Sequence, residues 1–107
     1  MNAETKKVIG TWSAGHDDPF FNGHFPGNPI LPAVASVHHA FRFLKEQLEQ
    51  PGLKLTEIKS AKFAAPIPPN TEVKTEAAQV KPDEWHLELT ESKSGKELAS
   101  LQFIVRI

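Results

Sequence analysis

Histidine is the side chain in this sequence best suited to acid–base chemistry near neutral pH, because the chain contains no cysteine. His24 lies in a loop, residues 20–32, that is rich in proline, glycine and phenylalanine. Each proline fixes one backbone angle, so this apolar loop is expected to be rigid and packed. We therefore predict that the loop is the functional centre. His24 is the residue expected to do chemistry there.

Two more histidines, His38 and His39, follow the loop in a segment with helical periodicity. His38 falls at the edge of the apolar stripe of that helix, where a catalytic role and a hydrogen-bonded packing role are equally open. His39 points away from the stripe and is predicted to be structural or solvent-facing. The nearest carboxylates before the loop, Asp17 and Asp18, are expected to cap or solvate a turn.

The elements around these residues are a strand, one long helix and then a series of strands. Residues 7–14 alternate as a strand does, and a helix is predicted from Pro32 to about Gln50, where Pro51 and Gly52 stop it. The stripe that should face the core comprises Val34, Val37, Phe41, Leu44 and Leu48.

Four further strands are predicted after the helix. Residues 53–65 and 71–80 form the first two, and Trp85, Leu87 and Leu89 mark the third. In the last strand the inward residues are predicted to be Leu101, Phe103, Val105 and Ile107. One helix packed on one antiparallel sheet is an α+β arrangement.

The bulk composition limits what the protein can be. A chain of 107 residues predicts a single domain over 1–107, and a net charge of -1 gives no electrostatic basis for binding nucleic acid or an anionic membrane. We find no metal-ligand spacing such as HExxH, and no apolar run approaches the roughly 20 residues that a membrane span needs. The N-terminal residues do not form a signal peptide, so a cytoplasmic protein is expected.

The ten residues from Gly23 to Pro32, GHFPGNPILP, resemble the signature of the hot-dog-fold 3-hydroxyacyl-acyl-carrier-protein dehydratases. Phe20 and Phe21 just before the run, and the later segment 58–69 with its Lys-Phe pair and prolines, are similar to that family as well. The short chain and its Pro-Ile-Leu-Pro sequence are most similar to the small dehydratases of aryl-polyene and related lipid clusters.

The resemblance implies an antiparallel sheet wrapped around one long central helix, in a homodimer or in a complex with a related dehydratase subunit. It implies dehydration of (3R)-3-hydroxyacyl thioesters on acyl carrier protein to trans-2-enoyl thioesters, in fatty-acid or polyene-type lipid synthesis. The substrate would be carried on phosphopantetheine, and neither a metal nor another cofactor would take part.

The resemblance also assigns roles to residues. His24 matches the family's base, and the backbone N–H of Ala33 matches the donor to the thioester oxygen. The family's Glu or Asp falls at position 38, where this chain has His38, which could donate the proton that the leaving hydroxyl needs. The residues expected to contact substrate are Phe21, Phe25, Gly27, Pro32 and Phe63.

Two alternatives remain open at this point. Because His38 and Ala33 replace the family's acid and glycine, the chain could instead be a catalytically impaired protein that binds acyl chains or serves as a partner subunit. An acyl thioesterase of the same fold is the other alternative. It is less favoured, because such thioesterases usually lack the His-Phe-Pro-Gly loop.

Overall fold

One helix and five strands make up the fold in residues 6–15 and 33–107, the part of the chain that the computed structural model describes. In chain order they are β1 (Lys7–Trp12), α1 (Ala33–Leu48), β2 (Lys54–Phe63), β3 (Val73–Lys81), β4 (Glu84–Glu91) and β5 (Glu97–Arg106). The strands form a single sheet in the order β1-β3-β4-β5-β2, and each neighbouring pair is antiparallel. The predicted α+β arrangement is confirmed.

The end of α1 follows from its backbone hydrogen bonds. Glu49 adopts a left-handed conformation with φ of 55°, and its N–H donates to the carbonyl of Glu46. The N–H of Gln50 donates to the carbonyl of Lys45, which completes a Schellman-type cap. Pro51 cannot continue a helix, so the chain turns here towards β2.

The buried face of α1 differs from the predicted stripe. Val34 was predicted to face the core, but it is 63% exposed, so that assignment is wrong. The buried residues of the helix are Ala35, Ser36, Ala40, Phe43 and Leu44, with Val37, Phe41 and Leu48 partly buried against them. Small residues at the start of this face let the helix backbone approach the sheet closely. The positions of the large apolar side chains therefore do not predict which residues at the start of α1 face the core.

Gly10 in β1 lies directly against the Phe43 ring of α1. A Cβ atom at position 10 would overlap the ring carbons of Phe43, so only glycine fits while the ring keeps its place. Phe43 is itself buried, which makes this contact part of the seam between helix and sheet. It fixes the position of α1 relative to β1.

One face of the sheet carries the core, as the alternation in the sequence predicts. Val73, Thr75 and Ala77 of β3 are buried, as are Leu87 and Leu89 of β4. The buried residues of β5 include Leu101, Phe103 and Val105. Ile107 was also predicted to face inward, but it is 78% exposed, because it lies beyond Arg106, the last residue of β5 that pairs with β2.

The strand β2 lies at one edge of the sheet and is exposed along almost its whole length. Ile58, Ala61 and Phe63 pair with the buried Phe103, Leu101 and Ala99 of β5, so they point to the core side of the sheet. The helix does not cover them, and Ile58 and Phe63 are each 44% exposed. An uncovered apolar strip therefore borders an open strand edge. Within the described residues, no helix is long and apolar enough to cross a membrane.

Candidate functional site

Ala33 begins α1, and the first N–H groups of a helix have no partner within the helix itself. The first turn carries no acidic side chain that would compete for these donors. Ala33 is exposed and lies at the helix N-terminus, where the helix dipole favours negative charge. This position can stabilise an oxygen that becomes negative during a reaction.

His38 lies five residues further along α1, about 7.5 Å along the helix axis from Ala33 at the usual helical rise. The side chain of His38 is exposed. Its ring contacts the ring of His39 edge to face, with centroids 5.3 Å apart and planes at 72°. The structure thus places two predicted site residues, Ala33 and His38, in the first turns of one helix.

The other predicted residues are divided between two parts of the chain. His24, Phe21, Phe25, Gly27 and Pro32 lie outside the described residues, and their assignments stay predictions. Phe63 is described, at the C-terminal end of the edge strand β2. Its half-exposed ring on the core side of the sheet is suited to line an apolar binding surface.

The sequence reasoning missed a group of contacts around His39. This residue is half-buried, which fits the structural alternative of its prediction, and its ring stacks on the indole of Trp12 with centroids 4.2 Å apart and planes 20° from parallel. Arg42 Nη2 lies 3.2 Å from His39 Nδ1. The spacing of three residues between His39 and Arg42 is the signal that could have predicted their contact.

A cavity of about 670 Å³ lies at the other end of α1. It is lined by residues from the helix end and the adjoining strands, among them Leu48, Leu53, Trp85 and Val105. Leu48 is about 22 Å along the helix axis from Ala33, so this cavity is separate from the region of Ala33 and His38. Within residues 6–15 and 33–107, no three acidic or histidine side chains converge as a metal site requires.

The sequence matches known dehydratases. The family model described as ApeI dehydratase, ApeI-like, matches residues 1–102. The 3-hydroxyacyl-acyl-carrier-protein dehydratase FabZ of Acetivibrio thermocellus is 35% identical over 79 residues, which cover 67% of this chain and 53% of that protein. The FabZ of Myxococcus xanthus is 29% identical over 101 residues, covering 85% of this chain and 66% of its own. The chain thus spans about half to two thirds of the length of these relatives.

Solved structures share the fold. The dehydratase heterocomplex ApeI:P from Xenorhabdus doucetiae superimposes with a TM-score of 0.79 at 19% identity, covering 95% of this chain and 88% of that one. An acyl-ACP thioesterase from Bacteroides thetaiotaomicron superimposes with a TM-score of 0.70 at 14% identity, covering 99% and 39%. At these identities the likeness establishes the hot-dog fold alone. With the family model matching nearly the whole sequence, the chain belongs to the ApeI-like dehydratases.

Proposed function

We propose that in the cytoplasm this chain dehydrates (3R)-3-hydroxyacyl thioesters, held on the phosphopantetheine arm of acyl carrier protein, to trans-2-enoyl thioesters. The pathway would be fatty-acid or polyene-type lipid synthesis, and no other cofactor would be needed. The observation that supports this most is the match of the dehydratase family model over residues 1–102. The helix N-terminus at the exposed Ala33, with His38 five residues later, is compatible with such a reaction.

The proposed reaction needs three groups. His24, as a neutral imidazole, takes the proton from C2 of the acyl chain. The N–H of Ala33 donates to the thioester oxygen, on which negative charge develops. The C3–O bond then breaks, and His38 gives its proton to the departing hydroxyl, which leaves as water. The C2–C3 double bond forms from the electrons of the broken C–H bond.

The apolar strip on β2 gives the acyl chain a surface to lie on. Phe63 and Ile58 face the core side of the sheet but are not covered by α1. A fatty acyl chain needs apolar walls along its length, and half-exposed side chains of this kind provide them. We assign Phe63, with Phe21, Phe25, Gly27 and Pro32 of the loop, to substrate binding on the basis of the family resemblance.

The assay for this proposal follows the absorbance of the enoyl thioester. Purified protein is mixed with 3-hydroxyacyl thioesters of acyl carrier protein and of coenzyme A over a range of chain lengths. The wild-type chain should give turnover, and a folded His24→Ala variant should lose it by about 100-fold or more, the usual contribution of a general base. Absence of turnover by the wild-type chain on every thioester would contradict the proposal.

A second candidate is a partner subunit that binds acyl chains without dehydrating them, and it rests on the histidine at position 38, where related dehydratases carry an acid. If the chain is such a subunit, His38→Phe would not change the turnover measured for the complex of this chain with its partner. For the dehydratase, the same change should lower kcat by about 100-fold. Release of free thiol without enoyl product would instead identify a thioesterase.

We also propose that the chain works as a dimer formed through β2, with a second copy of itself or a related dehydratase subunit as its partner. An edge strand readily pairs with another strand, and pairing there would continue the strip of Ile58, Ala61 and Phe63 from one chain to the next. The heterocomplex of the Xenorhabdus protein is compatible with a related dehydratase subunit as the partner.

A further inference from the structure

A stacked pair of rings joins β1 to the first turns of α1. The Trp12 indole and the His39 imidazole stack with centroids 4.2 Å apart and planes 20° from parallel. Trp12 belongs to the core and is 8% exposed, and His39 is half-buried. Because the indole is held by the core, the stack fixes the plane of the imidazole.

Arg42 contacts one ring nitrogen of His39. Its Nη2 lies 3.2 Å from His39 Nδ1, and a guanidinium group can only donate hydrogen bonds. In this contact Nδ1 is the acceptor, which fits a neutral ring with its proton on Nε2.

The guanidinium group is held in place by its own neighbours. Arg42 Nη1 is 3.5 Å from Glu46 Oε2, one helical turn further on. The central carbon of the guanidinium lies 4.7 Å from the centre of the Phe43 ring. Arg42 is therefore restrained by an ion pair and by a cation–π contact while it donates to His39.

His38 meets this neutral ring edge to face, with centroids 5.3 Å apart. Two imidazolium ions at this separation would repel each other, whereas a neutral His39 lets a proton reside on His38 without that repulsion. We propose that Trp12, His39 and Arg42 form a clamp that holds His39 as the neutral, Nε2-protonated imidazole and thereby positions His38 as the proton donor. The role of His38 as the proton donor rests on the proposed dehydration.

In this scheme His39 is a positioning residue, since it acts on the reaction only through His38. A residue that merely packed α1 against β1 would need a flat ring but no particular nitrogen. Phenylalanine at position 39 would keep the stack on Trp12 and remove the acceptor for Arg42. The tautomer of His39 and the effect of this substitution therefore separate positioning from packing.

The tautomer can be read directly by NMR on the full chain labelled with ¹⁵N-histidine near neutral pH. We expect His39 to show a protonated Nε2 and an unprotonated Nδ1. Arg42→Met should allow both tautomers, whereas Arg42→Lys, which also donates, should retain the preference in part. His86→Phe is the control, because His86 lies on β4 and contacts Ser100 of β5, so the His39 signals should not change. An Nδ1-protonated or doubly protonated His39 in the wild-type chain would overturn the clamp.

Activity tests the positioning role separately. His39→Phe should lower kcat about tenfold while KM stays within about twofold, since substrate binding is not altered. Arg42→Met leaves the stack intact and should give a similar loss, and thermal melting confirms that both variants fold. Unchanged kcat in both variants would overturn the role of His39 but leave the dehydratase standing. If the wild-type chain shows no dehydration, the proposed function fails. The NMR experiment still shows in that case whether Trp12 and Arg42 hold His39 in the proposed tautomer.

Discussion

At the scale of single residues, position 38 is the most informative about chemistry. A carboxylic acid at this place must be kept protonated to donate, whereas an imidazolium donates readily near neutral pH. His38 lies in the second turn of α1, next to His39, and its side chain is exposed. In the proposed dehydration, histidine at position 38 would therefore be a different kind of proton donor from a carboxylic acid.

Gly10 provides a residue-scale prediction about stability. Gly10→Ala should lower the free energy of unfolding by about 1–3 kcal/mol, because the added methyl group would overlap the Phe43 ring and force the helix or the ring to move. Urea denaturation followed by circular dichroism measures this change. Gly52→Ala is the matched control: nothing lies within 4 Å of its added carbon, so a shift within about 0.5 kcal/mol is expected. Equal effects of the two substitutions would contradict the close contact.

At the scale of elements, the sequence predicts the number, kind and order of the helix and strands, because alternation and helical spacing are local properties of the chain. The sequence does not predict which face of α1 packs on the sheet. Ala35, Ser36 and Ala40 lie on that face, and they are small residues that carry no strong apolar signal. Nor does it predict that Ile107 passes beyond its partner strand, which depends on where β2 begins. The stack of Trp12 on His39 was likewise missed, because it joins residues that are distant along the chain.

One buried carboxylate lies at the start of β4 and contacts residues of β5 and β2. Glu84 at the start of β4 is 3% exposed and accepts hydrogen bonds from Gln102 Nε2 at 2.6 Å and Lys59 Nζ at 3.4 Å. Gln102→Leu should lower the free energy of unfolding by about 1–3 kcal/mol, because the carboxylate loses its shorter hydrogen bond.

Urea denaturation again measures the effect of Gln102→Leu. The control is Lys93→Met in the exposed turn between β4 and β5, which should change stability by less than about 0.5 kcal/mol. A Gln102→Leu variant as stable as the wild-type chain would show that Lys59 or water satisfies Glu84.

At the scale of the whole molecule, β2 is suited to pair with a second copy of itself. Glu57 and Lys62 point to the face of the sheet opposite the core, and Ile58 and Ala61 point to the core side. If two copies of β2 pair antiparallel with Glu57 opposite Lys62, then Ile58 lies opposite Ala61. Each of these favourable pairs occurs twice, because a two-fold axis relates the copies.

Charge exchange tests this register. Glu57→Lys alone and Lys62→Glu alone each create two like-charge pairs and should weaken the dimer about tenfold, at a few tenths to about 1 kcal/mol per pair. An equimolar mixture of the two variants should regain the wild-type dimer, since every pair is again opposite in charge. Sedimentation equilibrium measures the association, with Lys93→Glu in an exposed turn as the control. A monomeric wild-type chain would instead favour a related subunit as the partner.

The two tryptophans lie near opposite ends of α1 and so provide separate optical probes. Trp12 stacks on His39 beside the region of Ala33 and His38, whereas Trp85 lines the cavity near Leu48. The chain has no other tryptophan and no tyrosine. A Trp85→Phe variant would therefore report events near the helix start through Trp12 emission alone. Changes at the start of the helix can thus be followed independently of changes at its other end, without attaching any label.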